Sequence, residues 1–484
     1  MRTYVVPQWR MLVRRLALPL IACLIFGAGC SAAIDEDQPV DVDEGQDALT
    51  ANDQAVIDLV AQAKKTVYAN VDGRAPKELA AALIAAAKRG VDVHVLITIN
   101  SHDTTWLLQQ RLESSGVDAD VRTSSPVKGV LAVADATALV PKGTGTAIVK
   151  TVRTVSGFTA KFSAQFSPPP PKAGALRASG VVVHPMPDSG HDRIIQVLDA
   201  AKSSIDLEIY QLQERDVVGA LKDAAGRGVR VRVMLEPKTV GSQNFSAVAA
   251  ELKSAQVEVK TTPKAFDSNR NVDHAKFCIV DGKELLFGTG NWVRSGLGGV
   301  TEGPYQNRDF WVEDARATSV KKAQSLFDAD YAEKSSASID FGDLVVTPDN
   351  ALESITGLID GAKKRLFVYN QSLDDADLVA RLIAAKKRGV DVQVLLGYQP
   401  SFGAPSKTAT SLKTLQAAGI RASFLKSHYL HGKAIVADDR AYVGSQNFTN
   451  GGLRTNRELG EILGDAAAVK LVATTFAADM SHPD

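Results

Sequence analysis

The stretch Gly226-Arg227-Gly228-Val229-Arg230-Val231-Arg232-Val233 carries a change of period. Apolar residues before it recur with helical spacing, and those after it alternate. A glycine at that point suits a helix C-cap, and the alternation suits a strand. The same switch occurs twice more, at Lys88-Arg89-Gly90-Val91-Asp92-Val93-His94-Val95 and at Lys387-Arg388-Gly389-Val390-Asp391-Val392-Gln393-Val394. Each copy is preceded by a short apolar strand: Thr66-Val67-Tyr68, Ile205-Asp206-Leu207-Glu208-Ile209-Tyr210 and Leu366-Phe367-Val368-Tyr369. An amphipathic helix stands before each of those strands. A helix–strand–helix–strand template used three times predicts an α/β fold, with helices packed around parallel or mixed sheets.

The boundaries follow from the repeats. A leader covers 1–29, an acidic tether 30–50 and a first repeat 51–165. A linker marked by Pro168-Pro169-Pro170-Pro171 covers 166–179, and two further repeats cover 180–340 and 341–484. A chain of 484 residues has room for two to four such units. With 45% hydrophobic residues the composition is that of an ordinary globular protein, which excludes a disordered, collagenous or polytopic membrane chain. Formal charge is zero, with 55 basic and 55 acidic residues. Without the leader's four arginines (Arg2, Arg10, Arg14, Arg15) it becomes −4, and from Ala51 onward it is +3, because seven acids lie between Asp35 and Asp47. Neither balance suits a dedicated nucleic-acid binder.

In the leader, a basic segment precedes the uncharged run Leu16–Gly29. Those 14 residues are too few to span a bilayer but suit the apolar core of a signal peptide. The run ends Gly27-Ala28-Gly29-Cys30, which resembles a bacterial lipoprotein lipobox, and the resemblance implies lipidation of Cys30. Cleavage near Ala32 or Ala33 by an ordinary signal peptidase is the alternative. Either predicts export, and the first predicts a membrane-anchored lipoprotein of a bacterial cell envelope. Cys23 lies in the leader, so Cys278 is left without a partner and reads as a core residue.

The chemistry-bearing stretches begin roughly 45 residues after the Arg-Gly-Val of the second and third repeats. They read His274-Ala275-Lys276-Phe277-Cys278-Ile279-Val280-Asp281 and His431-Gly432-Lys433-Ala434-Ile435-Val436-Ala437-Asp438. Gly288-Thr289-Gly290-Asn291 and Gly444-Ser445-Gln446-Asn447 follow, and then Asn307-Arg308-Asp309 and Asn456-Arg457-Glu458. On a strand, positions i and i+2 share a face, so each His projects with its Lys while Asp281 and Asp438 point the other way. A neutral imidazole is a nucleophile or base near neutrality, and an imidazolium protonates a leaving oxygen. The ammonium and the Asn amide suit phosphoryl oxygens. Two such strands face to face set two imidazoles on opposite sides of one phosphorus, the geometry of in-line displacement with a covalent intermediate. One His-x-Lys says little. Two copies in matched repeats, each with the same downstream residues, specify a site.

Together these motifs resemble the paired His-x-Lys-x4-Asp motif of the phospholipase D superfamily, over roughly 180–480. The resemblance implies a bilobal α/β fold with one active site between the two catalytic repeats. It implies His274 as nucleophile, forming a phosphohistidine, and His431 as general acid. Lys276, Lys433, Asn291 and Asn447 would bind phosphate oxygens, Asp309 and Glu458 would orient the histidines, and Asp281 and Asp438 would be structural. It implies no metal and no other cofactor. The first repeat departs from the pattern: Lys128 stands in place of His and Val130 in place of Lys, although Asp135 is kept. It is expected to be a degenerate copy that packs on the active pair or shapes its entrance.

The function expected is hydrolysis or transfer of glycerophospholipid head groups, giving phosphatidic acid, with phospholipid and a membrane surface as partners and no obligate protein partner. The alternatives are an exported nuclease, disfavoured by the charge balance, and a non-catalytic lipid-binding lipoprotein. Cardiolipin synthesis uses the same motif, but the two membrane spans usual in that group are not evident. Of the other histidines, His94 is expected in a core-like strand, His102, His184 and His191 in turns, His482 in the tail and His428 on the approach to His431.

Overall fold

The chain reverses between helix and strand at the glycine of each Arg-Gly-Val triplet. Gly90, Gly228 and Gly389 adopt φ of +82°, +87° and +91°, a region open to glycine at no steric cost. The arginine before each glycine reaches back to the end of the preceding helix. Arg89 Nη2 donates to the Val60 carbonyl at 3.0 Å, Arg227 Nη2 to Leu198 at 3.2 Å and Arg388 Nη2 to Ile359 at 3.2 Å. These arginines are therefore more than helix-end charges: each satisfies orphan carbonyls of the neighbouring helix.

The computed structural model describes residues 49–99, 102–113, 115–122, 127–142, 145–166, 180–188, 192–238, 245–268, 271–297, 306–398 and 406–481. The leader, Cys30, nearly all of the tether and the prolines of the linker lie outside the described residues, as do His191 and His482.

The first repeat contains α1 (Ala51–Gln62), β1 (Thr66–Asp72), α2 (Lys77–Lys88), β2 (Asp92–Thr98), α3 (His102–Glu113), β3 (Asp118–Arg122), β4 (Ala132–Ala134), β5 (Thr137–Lys142), β6 (Gly145–Val149) and α4 (Val152–Phe166). The second contains β7 (Val181–Met186), α5 (Asp192–Asp199), β8 (Ser204–Ile209), α6 (Arg215–Gly226), β9 (Arg230–Leu235), α7 (Phe245–Ser254), β10 (Glu258–Thr261), β11 (Lys276–Val280), β12 (Glu284–Gly288), β13 (Asn307–Asp314) and α8 (Ala317–Tyr331). The third runs β14 (Leu344–Thr347), α9 (Ala351–Gly361), β15 (Arg365–Asn370), α10 (Ala376–Lys387), β16 (Asp391–Gly397), α11 (Lys407–Ala417), β17 (Arg421–Leu425), β18 (Tyr429–Leu430), β19 (Ala434–Ala437), β20 (Arg440–Gly444), β21 (Glu458–Leu463) and α12 (Ala466–Ser481).

Each repeat builds one mixed sheet on the same plan, three parallel strands continued by an antiparallel meander. The orders are β3-β2-β1-β4-β5-β6, then β10-β9-β8-β11-β12-β13 with β7 beside β13, then β17-β16-β15-β19-β20-β21-β14. The expected α/β class holds. His184 departs from expectation: it lies within β7, its Nε2 2.7 Å from Glu313, and His102 opens α3. Both were expected in turns because neither stands in a strictly alternating or capped context.

Two backbone exchanges bind the second repeat to the third. β18 pairs in parallel with β13, Tyr429 opposite Asn307 and Leu430 opposite Arg308, and a matching bridge joins Asp273 to Arg457. One apolar core then runs through both, including Phe277, Phe310, Phe327, Val346, Tyr369, Val443, Val472 and Phe476. The first repeat keeps a separate core around Val60, Leu83, Val95 and Leu112. Cys278 is fully buried within the second repeat. Among the described residues no helix is long and apolar enough to cross a membrane.

Candidate active site

The exchanges between repeats place each histidine against the other repeat's carboxylate. The His274 amide donates to the Arg457 carbonyl at 2.8 Å, and its Nδ1 lies 2.8 Å from Glu458 Oε2. Correspondingly, the His431 amide donates to the Arg308 carbonyl at 3.2 Å, and its Nδ1 lies 2.9 Å from Asp309 Oδ1. With Nδ1 engaged on both rings, Nε2 is the nitrogen left for chemistry. The carboxylates are fixed in turn. Thr289 Oγ1 donates to Asp309 Oδ1 at 2.5 Å and accepts from the Phe310 amide, and Asn456 Nδ2 donates to Glu458 Oε1 at 3.2 Å. Gly290 is required here, because a Cβ would come within 2.8 Å of the Asp309 carboxylate.

Lys276 and Lys433 are wholly buried. Lys276 Nζ donates to the His274 carbonyl at 2.7 Å and lies over the Tyr210 ring, which packs edge-on against His274. Lys433 Nζ donates to Gln371 Oε1 at 2.6 Å and lies 3.3 Å from His431 Nε2. Asn291 Nδ2 donates to Gln211 Oε1 at 2.8 Å, while its Oδ1 is buried without a hydrogen-bonding partner among the described residues. Asn447 is buried in the matching place on the third repeat.

The electrostatics tie both halves together. Burial, followed by the charges of Lys276 and Lys433, pushes His274 well below the usual imidazole range. Burial and Lys433 bring His431 down to about 4, against the opposing pull of Asp309. Both rings are therefore neutral at pH 7. The carboxylates differ. Burial pushes Glu458 up to about 8 in spite of both lysines. Asp309 is equally buried, yet His431, Lys433 and Thr289 hold it below its usual value.

Asp281 and Asp438 sit in tight turns, at φ of +54°, remote in role from this cluster. Asp281 accepts from the amides of Lys202, Ser203 and Ser204, and Asp438 from those of Lys363, Lys364 and Arg365. Asp135 does the same for Lys64, Lys65 and Thr66. Each gathers the start of its repeat's first parallel strand. The first repeat's equivalent site is filled by its own chain: Val130 is buried, and Asn70 Nδ2 donates to the carbonyls of Val127 and Val130. His428 lies in the turn before β18.

Arg308 and Arg457, the arginines of the two Asn-Arg-acid stretches, have a role that their sequence context does not reveal. Arg308 binds Asp479 of α12, Asp188 and the Met186 carbonyl. Arg457 binds Asp330 of α8, Asp349 and the Thr347 carbonyl. Each locks the strand that carries a histidine's carboxylate to the closing helix of the other repeat, Arg308 to α12 and Arg457 to α8. The signal was an acid near the end of each such helix. Gln211, Gln371 and Tyr210 were also missed, because they end strands with no motif of their own. Among the described residues no group of three His, Cys, Asp or Glu is arranged to hold a metal.

Comparison with known proteins matches residues 194–331 and 355–480, more than half of the chain, to the family model described as "Cardiolipin synthase, PLD-like domain". The chain is 26% identical over 324 residues to the major cardiolipin synthase ClsA of Bacillus subtilis, covering 60% of this chain and 66% of that protein. It is 31% identical over 131 residues to a phospholipase D of Rickettsia bellii, covering 26% of this chain and 62% of that one. The solved phosphatidylserine synthase of Haemophilus influenzae superposes with a TM-score of 0.47 at 12% identity, covering 63% of this chain and 87% of that one. The chain thus spans slightly under two thirds of the length of its cardiolipin synthase relatives. Two matched halves, and a family model that covers both, make this chain a member of the PLD-like domain family of the phospholipase D superfamily.

Proposed function

We propose that the protein cleaves and transfers phosphodiester bonds of glycerophospholipids through a phosphohistidine on His274. The observation that carries this reading is the crossed pair of imidazole–carboxylate contacts, His274 with Glu458 and His431 with Asp309, around two buried lysines. His274 Nε2 attacks phosphorus, the P–N bond forms and the P–O bond to the head-group alcohol breaks. His431 gives the departing oxygen its proton. In the second half, His431 takes the proton of an incoming hydroxyl, whose oxygen bonds to phosphorus as the P–N bond breaks. The assignment of roles is supported by the electrostatics: burial and the two lysines hold His274 in its neutral, nucleophilic form, and His431 faces an ionised carboxylate. A bound phosphodiester anion offsets the lysine charges and lifts His431 towards the proton it must carry. Lys276, Lys433, Asn291 and Asn447 hold the phosphoryl oxygens.

Two acceptors fit this cycle. Water gives phosphatidic acid. The hydroxyl of a second lipid gives a lipid with two phosphates, a reading favoured by the description of the family model and by the cardiolipin synthase relatives. The test is incubation with phosphatidylcholine and phosphatidylglycerol vesicles, and with plasmid DNA, in the presence of EDTA. Head-group release that is lost in His274→Ala and His431→Ala is expected, and the product identifies the acceptor. Cleavage of DNA alone would overturn the lipid assignment. Turnover that survives both substitutions would overturn the mechanism. The lipid-anchor reading of Cys30 predicts that Cys30→Ala leaves the membrane fraction.

A further inference from the structure

The segment that follows Asn291 is held by the repeat that lacks a histidine–lysine pair. Arg294, 6% exposed, lies 3.6 Å from Asp118 and 3.6 Å from Asp120 of β3, and 3.7 Å from Glu214 of its own repeat. Ser295 Oγ donates to Glu113 Oε2 of α3 at 2.9 Å. Asp118 is itself fixed by His94 Nδ1 at 2.8 Å, and Asp120 by Arg122 at 2.6 Å. Burial pulls His94 down, but hydrogen bonds to Asp118 and Asp92 outweigh it and hold the ring at about 9. His94 lies buried in β2, as expected, and there pairs with two acids of this contact.

The turn that receives these contacts is short and rigid. Trp292 is fully buried, its amide donating to Gln211 and its carbonyl accepting from Gln213 and Glu214. The Asn291 carbonyl packs so closely on Gly296 that a Cβ there would stand 2.5 Å from it. A shift of Arg294 or Ser295 is therefore passed directly to Asn291. The third repeat repeats the turn, with Gly452 against Asn447, but places an exposed Asn450 where the second has Arg294.

We infer that the first repeat is a positioning device for Asn291, with Glu113, Asp118 and Asp120 clamping Arg294 and Ser295 so that the Asn291 amide is aimed at the phosphoryl group. The inference rests on the phosphodiester-transfer reading for its catalytic consequence. Glu113, Asp118, Asp120 and Arg294 are positioning residues.

The experiment uses the full chain in four forms: wild type, Arg294→Gln, Asp118→Asn with Asp120→Asn, and Arg215→Gln. Arg215 contacts Asp92 of the first repeat at 3.7 Å but lies outside the Asn291 turn. Hydrogen exchange of residues 288–297 is expected to speed up about tenfold or more in the first two variants and to stay unchanged in Arg215→Gln. Steady-state assay on phosphatidylcholine vesicles and on bis(4-nitrophenyl) phosphate is expected to show kcat/KM lower by about ten- to a hundredfold. In an Asn291→Ala background, Arg294→Gln is expected to cost less than about twofold more, since residues acting as one unit are not additive. Unchanged exchange, or losses that multiply independently, would overturn the inference. An exchange response without wild-type turnover of either substrate overturns the phosphodiester reading and leaves the clamp in place.

Discussion

His274 and His431 have equivalent neighbours in sequence and unlike ones in charge. Burial holds Glu458 up at about 8, so an uncharged amide alters the charge of that corner little at neutral pH, whereas Asp309 is ionised. Asp309→Asn is therefore expected to lower kcat by about 10²–10⁴, the scale seen when a catalytic imidazole loses its orienting carboxylate, and Glu458→Gln by less than about tenfold. Equal losses would show that the two carboxylates are electrostatically alike. The histidines also leave a mark on stability. A ring held at about 4 when folded and near 6.5 when unfolded takes up a proton preferentially on unfolding between those values. Stability is then full above roughly pH 6.5 and is lost as pH falls towards 4, by about 1.4 kcal/mol per unit for one proton. His431→Asn is expected to flatten that slope by close to one proton in urea titrations at stepped pH. A slope unchanged by the substitution would mean that the imidazole is not held neutral. At this scale the sequence was most legible, because His-x-Lys, Gly-x-x-Asn and Asn-Arg-acid each state a chemical type. It was least legible in pKa, since Asp309 is held down against its burial chiefly by His431 and Lys433, which lie in the other repeat.

Strands and closing helices meet at the buried arginines, and there the balance of charge is precarious. Arg457 stands among Asp330, Glu208 and Asp273, of which the last two are pushed well above the usual carboxylate range by burial and by neighbouring acids. Burial likewise lifts Asp330 to about 6 in spite of Arg457. Removing this cation leaves buried acids uncompensated. Arg457→Met is expected to destabilise the fold by about 3–5 kcal/mol. The sign of its pH dependence follows from raised acids: their contribution is full below about pH 4 and is lost as pH rises through the elevated values. The variant should therefore lose more at pH 8 than at pH 5, read from denaturant midpoints. A loss that is equal at both values would show that these acids do not titrate with unfolding. Helices and strands themselves were readable from period and from the Arg-Gly-Val punctuation. What the arginine of that triplet does was not, because its partner is the end of a helix about 29 residues earlier. Nor was the placement of His184, whose strand lies at the sheet margin and takes its register from Glu313 and its neighbours.

Across the whole molecule the repeats are joined unequally. The second and third share an apolar core that includes Phe327 and Phe476, which packs flat on Phe367 with ring centres 5.0 Å apart. The first keeps its own core and meets the second through Arg294, Ser295 and Arg215. Burial of apolar area makes unfolding cooperative across a boundary, whereas a few ion pairs between separately cored units couple them weakly. Calorimetry of the full chain is thus expected to show two transitions, one for the first repeat and one for the paired repeats. Phe476→Ala, which empties a buried aromatic site, should cost the paired transition about 3–5 kcal/mol and leave the other nearly unmoved. Val60→Ala, in the first repeat's core, should do the reverse by a smaller amount. A single transition shifted by either substitution would show that all three repeats unfold as one body. It would also change how the site is understood, since Asn291 would then be secured by global cooperativity, and the contacts of Arg294 would be one small part of it.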